Sequence, residues 1–289
     1  EADGRAFSFD IIPSSNIDNM MIIKSPTAEL PGDFSGGFIK ISTKNMPDEN
    51  SLSLSVGTGI NTVTHFKDFS LLQSSSTEWL GFDRCARPLS KDFPSHLGSI
   101  TDPSQITYYT KTGFNNDWNV KTFRPLPDLK LNLTWNRKIG DKVGTVLTFG
   151  YSNANKTIPD MQNTRYGIYS ATADVPTIEK NYIDNQFTNE LKINAMNNWS
   201  FILDSKNRFE FRNLFSQIGK NRFTERYGTS TVSGEYYENQ TEMLYSSRLS
   251  YVGQLPGLHT LDEDMTQTLN WTVDYSYANK MEPDRRIIK

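Results

Sequence analysis

The side chains that most often perform catalysis or bind metals are scattered along this sequence of 289 residues. His65, His96 and His259 lie far apart, and none has a second histidine at the His-x-x-x-His spacing of a metal site on a helix. Serines are frequent, but none stands in the Gly-x-Ser-x-Gly turn that presents a hydrolase nucleophile. These patterns predict that the protein is not an enzyme and that it uses no cofactor and no metal.

An acidic run and a single cysteine are the remaining candidates for reactive chemistry. Asp262, Glu263 and Asp264 could together bind a cation, but such a run is more often a solvated turn. Cys85 is the only cysteine of the sequence, which excludes a disulfide framework and a thiolate metal cluster within it. A lone cysteine in a loop is more often incidental than catalytic. Neither feature changes the prediction of a protein without a catalytic centre.

The composition excludes a helical membrane anchor but not a membrane protein. No stretch approaches the roughly 18 apolar residues of a transmembrane helix, and residues 1–3 lack the basic or apolar character of a signal peptide. The strands of a membrane barrel need only about 9–11 residues of alternating character. Aromatic residues make up 12% of the chain, which suits the aromatic girdles of such a barrel. A net charge of -3 argues against a nucleic-acid partner.

From residue 51 onward, apolar and polar residues alternate in seven segments, with the period of a β-strand that has two different faces. The first apolar residues of these segments are Leu52, Leu129, Val143, Leu191, Phe209, Met243 and Leu269. No amphipathic helical pattern of comparable length accompanies them. The sequence therefore predicts an all-β fold whose sheet has one apolar face and one face rich in Asn, Thr, Ser, Lys, Glu and Asp.

The connections between these segments alternate in length. Tight turns are predicted at 138–142 and 204–207, and a moderately short connection at 253–264. Long polar connections are predicted near 67–127, 155–185, 221–238 and 278–289. This alternation is expected of an antiparallel transmembrane β-barrel with short periplasmic turns and long extracellular loops. A soluble sandwich has no reason to gather its long loops at one end.

The chain before residue 47 has a different pattern. Residues 14–16 can cap a brief helical turn at 17–20. Between residues 22 and 44 the sequence predicts a short apolar strand, a turn interrupted by Pro26, and a second strand after a Gly-Gly pair. On spacing alone, this run is an ordinary hairpin with a bulge.

The identities of the residues in this run are more informative than their spacing. They follow the pattern of an apolar strand, Lys-Gly-Pro-x-Ala, a turn ending in Gly, and Gly-Gly-x-Ile-x-Ile-x-Thr-Lys. The run resembles the end of the plug domain of TonB-dependent outer-membrane receptors, in the form found in Bacteroidetes-type bacteria. It departs from the pattern at Ser25, where the motif has glycine. The matching residues, to which the resemblance assigns structural and gating roles, are Lys24, Pro26, Ala28, Gly32, Gly36, Gly37, Ile39, Ile41, Thr43 and Lys44.

The resemblance also implies an architecture. Residues 1–47 would be the C-terminal part of an α+β plug domain, and 51–289 the N-terminal part of an outer-membrane β-barrel. Plugged transporters of this kind have about 22 strands, so seven strands cannot close the barrel. The expectation is therefore a fragment of a receptor about three times longer, without the first half of the plug.

The function implied by the resemblance is active import across the bacterial outer membrane. The solute would be scarce, such as a metal chelate, a glycan or a peptide, and the energy would come from the inner membrane. The expected partners are outer-membrane lipid and an inner-membrane energy-coupling protein, which would act on a segment absent from this sequence. A surface lipoprotein or other complex subunits are further candidate partners, and nucleic acid is not one.

The first long connection contains a compact amphipathic cluster at residues 77–83, which includes Trp79, Phe82 and Asp83. It resembles a recurrent feature of the same receptor subgroup, and the resemblance implies that it orders the loop. Contact between a ligand and Trp79 or Phe82 is the alternative role.

Two functions of other classes remain open. The barrel could be a structural anchor in a multi-protein cell-surface or secretion complex. Alternatively, the chain could be a soluble β-sandwich binding module, because a sheet packed against a core shows the same alternation of apolar and polar residues.

Overall fold

The computed structural model describes residues 17–25, 37–43, 46–72, 75–83, 87, 90–94, 96, 98, 100–114, 117–172, 174–232, 234–264, 266–283 and 285–289. The strands are β1 (Ile17–Ile23), β2 (Phe38–Thr43), β3 (Ser51–Gly59), β4 (Phe69–Leu72), β5 (Val120–Phe123), β6 (Asp128–Ile139), β7 (Val143–Ser170), β8 (Val175–Ile202), β9 (Asn207–Ser230), β10 (Tyr236–Thr260), β11 (Thr268–Met281) and β12 (Arg286–Ile288). One α-helix, α1 (Pro103–Thr112), and a 3-10 turn at Glu78–Leu80 accompany them. The described part of the chain is therefore all-β, as the alternation predicts.

The dominant element is one antiparallel sheet with the strand order β3-β6-β7-β8-β9-β10-β11. The short strand β12 also pairs with β10. Each of the seven segments predicted from alternation begins within one strand of this sheet. Strands that are consecutive in the chain from β6 to β11 are neighbours in the sheet, because short turns join them. We call the end with the β6–β7, β8–β9 and β10–β11 turns the lower end, and the opposite end the upper end.

The upper connections differ from the prediction. The segments 155–185 and 221–238, predicted as long polar loops, are mostly paired strand, with turns only near 171–174 and 231–235. In the same way β11 extends to Met281, and β12 occupies the end of the segment predicted as loop from 278. The physical reason is that backbone pairing continues where the side chains no longer alternate in polarity. Asn189, for example, donates hydrogen bonds to the side chains of Asn153 and Asn155 across the strands.

The predicted connection near 67–127 is instead a long connection with its own structure. It joins β3 to β6 at the upper end and contains β4, β5, α1 and the 3-10 turn. Phe69, Leu71 and Leu72 of this connection pack against Phe223 of β9 and Met243 of β10, and together they form a buried apolar cluster. The long connection therefore covers the upper part of the sheet.

The N-terminal strands β1 and β2 form a separate antiparallel pair, in which Met20 lies opposite Ile41 and Ile22 opposite Ile39. The predicted helical turn at 17–20 is wrong, because these residues belong to β1. Cross-strand pairing of the apolar side chains outweighs the local capping signal that precedes them. The pair confirms the two strands expected on either side of the Pro-containing turn.

Register divides the side chains of the main sheet into two faces. One hydrogen-bonded row runs across one face through Leu54, Leu133, Phe149, Ala195, Phe215, Tyr251 and Tyr277. We call this side the apolar face. A row on the opposite side begins at Ser51 of β3. It continues through Asn136, Val146, Asn198, Arg212, Gln254 and Asp274. We call that side the polar face.

Candidate functional site

The lower part of the apolar face is uncovered. Leu52 and Leu54 on β3 are 71% and 68% exposed, and Val273 and Tyr275 on β11 are 62% and 63% exposed. The uncovered zone also includes Phe211 in the middle of the sheet. Between these exposed side chains, Thr145 and Ile193 of the same face are buried by their neighbours. We call this zone, which on β7 spans 143–151, the apolar band.

The apolar band has the height of a lipid-spanning barrel wall. On β7 its last members are Phe149 and Tyr151, and the next residues of the same face are Asn153 and Asn155. The band thus covers nine residues of this strand, which agrees with the ~9–11 residues that a tilted barrel strand needs to cross a bilayer.

Aromatic rings gather at the two margins of the band. At the lower margin the ring of Phe209 lies 5.9 Å from Trp271, and Trp199 stacks on Phe201 at 6.1 Å. Nearer the upper margin the rings of Tyr251 and Tyr275 lie 6.2 Å apart. This placement matches the aromatic girdles that flank the apolar zone of membrane barrels.

The lower part of the polar face contacts the described residues that precede β3, which are 17–25, 37–43 and 46–50. We call them the N-terminal segment. Thr43, at the end of β2, accepts a hydrogen bond of 3.0 Å from the Asn198 side chain on β8. Met46 and Pro47 lie so close to Gly144 of β7 that any side chain at this glycine would collide with them. A cleft of about 620 Å³ remains between the segment and the wall. The segment therefore sits on the polar face, with the Thr43–Asn198 hydrogen bond as a direct link between the two.

Charged residues line that cleft. Asp18, Asp48 and Glu49 come from the N-terminal segment, and Arg208 comes from β9. Arg208 is also 2.7 Å from the buried carboxylate of Glu210 on the same strand. The cleft thus brings opposite charges to the contact between segment and wall.

The predicted plug residues are placed unevenly. Ile39 and Ile41 lie in β2, Gly37 precedes that strand, and Lys24 is exposed after β1. Only Thr43 among them makes a hydrogen bond to the main sheet in the part of the chain that the structure describes. The predicted residues that fall outside the described part are Pro26, Ala28, Gly32, Gly36 and Lys44.

The cluster at 77–83 lies against the upper part of the apolar face. Buried Arg87 binds the carboxylates of Glu78 and Asp83 at 2.8 and 3.1 Å. Its guanidinium lies 4.6 Å from the centre of the Tyr245 ring on β10. Burial raises the pKa of Glu78, and the opposing effect of Arg87 does not cancel it. The three charged groups and the ring hold the connection on the sheet.

The other two predicted loop residues have different environments. The carbonyl of Phe82 accepts a hydrogen bond of 2.9 Å from the Thr77 hydroxyl, which closes the turn. Trp79 is 61% exposed and lines a cavity of about 370 Å³ together with Leu191 and Asn189 of β8. Asp83 and Phe82 thus take part in local ordering contacts, whereas Trp79 is available to a ligand or a partner.

Sequence reasoning missed two partners of this cluster. Arg87 lies only four residues beyond Asp83 but outside the amphipathic run, and Tyr245 is distant in the chain, so no local pattern links its ring to the cluster. Gly219 did carry a signal, because an isolated glycine inside a strand often marks a close backbone approach. In the structure it lies against Gly81 of the cluster.

The upper part of the polar face carries ion pairs. Arg226 binds Asp184 through two contacts of 2.7 Å, and Asn163 donates a third hydrogen bond to this carboxylate. Burial opposes ionisation of Asp184, but Arg226 and Asn163 outweigh it and lower the pKa of the carboxyl group. Nearby, Glu238 accepts from the Tyr182 hydroxyl at 2.8 Å. On the polar face, the upper strands are therefore joined by paired charges.

The residues considered for catalysis or metal binding have structural partners. His65 is buried and lies 3.1 Å from Asp128, and His259 lies 2.7 Å from Asn207. Asp262 accepts backbone hydrogen bonds within the β10–β11 turn, as a solvated turn would. Within the described ranges, no group of His, Cys, Asp and Glu side chains could hold a metal ion. The same ranges contain no helix that is long and apolar enough to cross a membrane. Cys85 lies outside those ranges.

Comparisons of the chain with models of protein families, with curated proteins and with solved structures found no match. The assignment of function therefore depends on the two faces of the sheet and on the residues of the N-terminal run.

Proposed function

We propose that this chain forms part of the wall of an outer-membrane β-barrel and that the protein imports a scarce solute with energy from the inner membrane. The observation that carries the proposal is the contrast between the two faces of one sheet. The apolar band is uncovered, and the polar face carries the N-terminal segment. A barrel wall between lipid and a wet lumen requires this arrangement.

The same contrast argues against the soluble β-sandwich. A sandwich buries its apolar face under a second sheet at about 10 Å. In the described part of the chain, β4 and β5 form the only other sheet near the apolar face, and they pack above the band, on Phe223 and Met243. In a bilayer, lipid meets the band, and further strands would pair with the edges at β3 and β11, because open edges are not viable there.

The position of the N-terminal segment favours a role in transport and argues against a purely structural role of the wall. In the receptors that the run at 22–44 resembles, the plug blocks the lumen and an inner-membrane protein pulls on it. Here the segment lies on the face that would line the lumen, and it is held by the Thr43–Asn198 hydrogen bond beside an open cleft. In the proposed mechanism, this contact breaks when the segment moves.

A structural anchor is the second candidate, and the upper tips of the hairpins favour it. Tyr166, Ile168 and Tyr169 at the β7–β8 tip are 60%, 84% and 54% exposed, and Tyr237 at the β9–β10 tip is 66% exposed. Exposed aromatic residues at such tips suit a surface lipoprotein or another subunit. Both functions use the same wall and differ in whether the N-terminal segment moves.

Quenching of tryptophan fluorescence by brominated lipid tests whether the apolar band contacts lipid. Variants of the whole protein that keep only Trp271, in the band, or only Trp118, in the long connection, are inserted into vesicles. We expect strong quenching for Trp271 and none for Trp118, because only the band meets lipid tails. Equal quenching of the two variants, together with a protein that is monodisperse without detergent, would contradict the proposal. That result would support the soluble β-sandwich.

A further inference from the structure

A row of cations crosses the polar face above the N-terminal segment. Register aligns Lys130 of β6, Lys192 of β8, Arg248 of β10 and Lys280 of β11 on one hydrogen-bonded row, with Ser152 and Ile218 between them. The adjacent row adds Lys220 of β9. We call these five residues the cationic row.

The positive charge of this row is only partly balanced. Glu190 lies 2.8 Å from Lys192 and 3.8 Å from Lys220. Glu282 lies 2.6 Å from Lys280. Among the residues that the structure describes, these two carboxylates contact a row of five cations, which leaves the row with a surplus of positive charge.

Arg248 and Lys130 are the members of the row that no described carboxylate contacts. Arg248 lies directly opposite Lys280, and like charges in this position destabilise a sheet. Among the residues that the structure describes, no carboxylate contacts the Arg248 side chain, which is exposed. A guanidinium placed in this way is available to an anion.

The row has cavities of a size that suits a small charged group. A cavity of about 190 Å³ is lined by four cations, one hydroxyl of the polar face and one carboxylate, which are Lys192, Lys220, Arg248, Lys280, Ser246 and Glu190. A second cavity of about 210 Å³ adjoins it through Lys192 and includes Lys130. Guanidinium, ammonium and hydroxyl donors around such a space are the groups that bind carboxylate and phosphate oxygens.

We propose that Arg248, Lys192 and Lys280 bind an oxyanion, carboxylate or phosphate, that the imported solute carries. The inference rests on the proposed function, which makes the polar face the lining of the lumen. The N-terminal segment does not supply the anion within the described ranges, since its contact at Asn198 lies six residues below Lys192, or about 20 Å along β8. The cavity is therefore open to a solute that enters from the upper end.

Titration of the whole protein with pyrophosphate at low salt tests this inference. We expect the double variant Arg248→Gln, Lys280→Gln to bind pyrophosphate about tenfold more weakly than the unaltered protein. Lys138→Gln is the matched control, because Lys138 is a cation on the lower end of the same face and pairs with Asp141. Its affinity should be unchanged.

Absence of pyrophosphate binding, or an equal loss of affinity in the double variant and the control, would overturn the inference. The variant that keeps only Trp271 is inserted into brominated lipid and titrated with pyrophosphate in parallel. A protein whose Trp271 is quenched but which binds no pyrophosphate loses only the oxyanion site and keeps the proposed function. A protein whose Trp271 is not quenched loses both.

Discussion

Gly81 of the long connection lies directly against Gly219 of β9, and a methyl group on Gly219 would come within 2.7 Å of the Gly81 Cα atom. The contact brings two backbones together on the upper apolar face. Gly81 itself has a φ of 78°, a conformation that only glycine adopts without strain. The pair therefore determines how closely the cluster at 77–83 approaches the sheet.

Gly219→Ala should release this cluster, because overpacking of so tight a contact costs about 1–3 kcal/mol. We expect faster proteolysis of the long connection and a lower melting temperature of the upper sheet. Gly98→Ala is the control, since no atom lies within 4 Å of the position where its Cβ would be placed. Identical proteolysis of the two variants would show that the close approach does not hold the connection.

Asp184→Asn should destabilise the upper hairpins by roughly 3–5 kcal/mol, because it leaves the partly buried Arg226 guanidinium without its carboxylate. Asp68→Asn is the control, since the ion pair of Asp68 with Arg124 is exposed and such pairs contribute at most about 1 kcal/mol. Chemical denaturation followed by circular dichroism measures both. Equal costs for the two substitutions would contradict the structural role of the buried pair.

The same ion pair predicts a pH dependence. The pKa of Asp184 in the folded protein lies below its ordinary value of 3.8. Its contribution to stability is therefore fully present above pH 3.8 and is lost as the pH falls through the folded pKa. Denaturation curves measured in this acidic window should lose less stability in Asp184→Asn than in the unaltered protein. Parallel losses in the two proteins would assign the acid sensitivity to other groups.

Val273→Arg should impair insertion into vesicles. A charge on the lipid face near the bilayer centre costs about 2–4 kcal/mol, whereas Thr272→Arg places the same charge on the polar face of the same strand. The yield of folded protein in vesicles, read from its resistance to protease, compares the two variants. If they insert equally well, the apolar band does not face lipid.

Movement of the N-terminal segment can be followed without knowledge of the solute. In a Cys85→Ser background, the thiol introduced by Thr43→Cys should react faster with an impermeant maleimide in energised cells than in uncoupled cells, because pulling moves position 43 away from Asn198 and exposes it. Ser53→Cys on β3 is the control, and its reaction rate should not depend on energy. A thiol at position 43 that is insensitive to energy would favour the structural anchor.

The strands could be predicted from the sequence where one face is apolar and the other is polar. Leu131 and Leu133 alternate with Lys130 and Asn132, and this contrast identifies β6 without any tertiary information. The upper halves of β7 and β8 were not recognised, because polar residues occupy both of their faces and only pairing with the neighbouring strand makes them extended.

The candidate sites could be predicted only where their residues are close together in the sequence. Asp83 was singled out with its local cluster, whereas the ring of Tyr245, which Arg87 contacts, is brought to the cluster by the packing of a distant strand. The cationic row was missed for the same reason. Its members are separated by dozens of residues in the chain, and strand register alone places them side by side.

The length of β7 has a consequence for recognition. Ile168 near its tip lies seventeen residues beyond Tyr151 at the upper margin of the band, or about 56 Å along the strand. This exceeds the few ångströms that lipid headgroups add on each side of the hydrocarbon core. In the proposed barrel, the hairpin would therefore be a stalk that presents its tip well clear of the bilayer surface. The tip sequence could then change, and with it the bound partner, without any change in the residues that contact lipid.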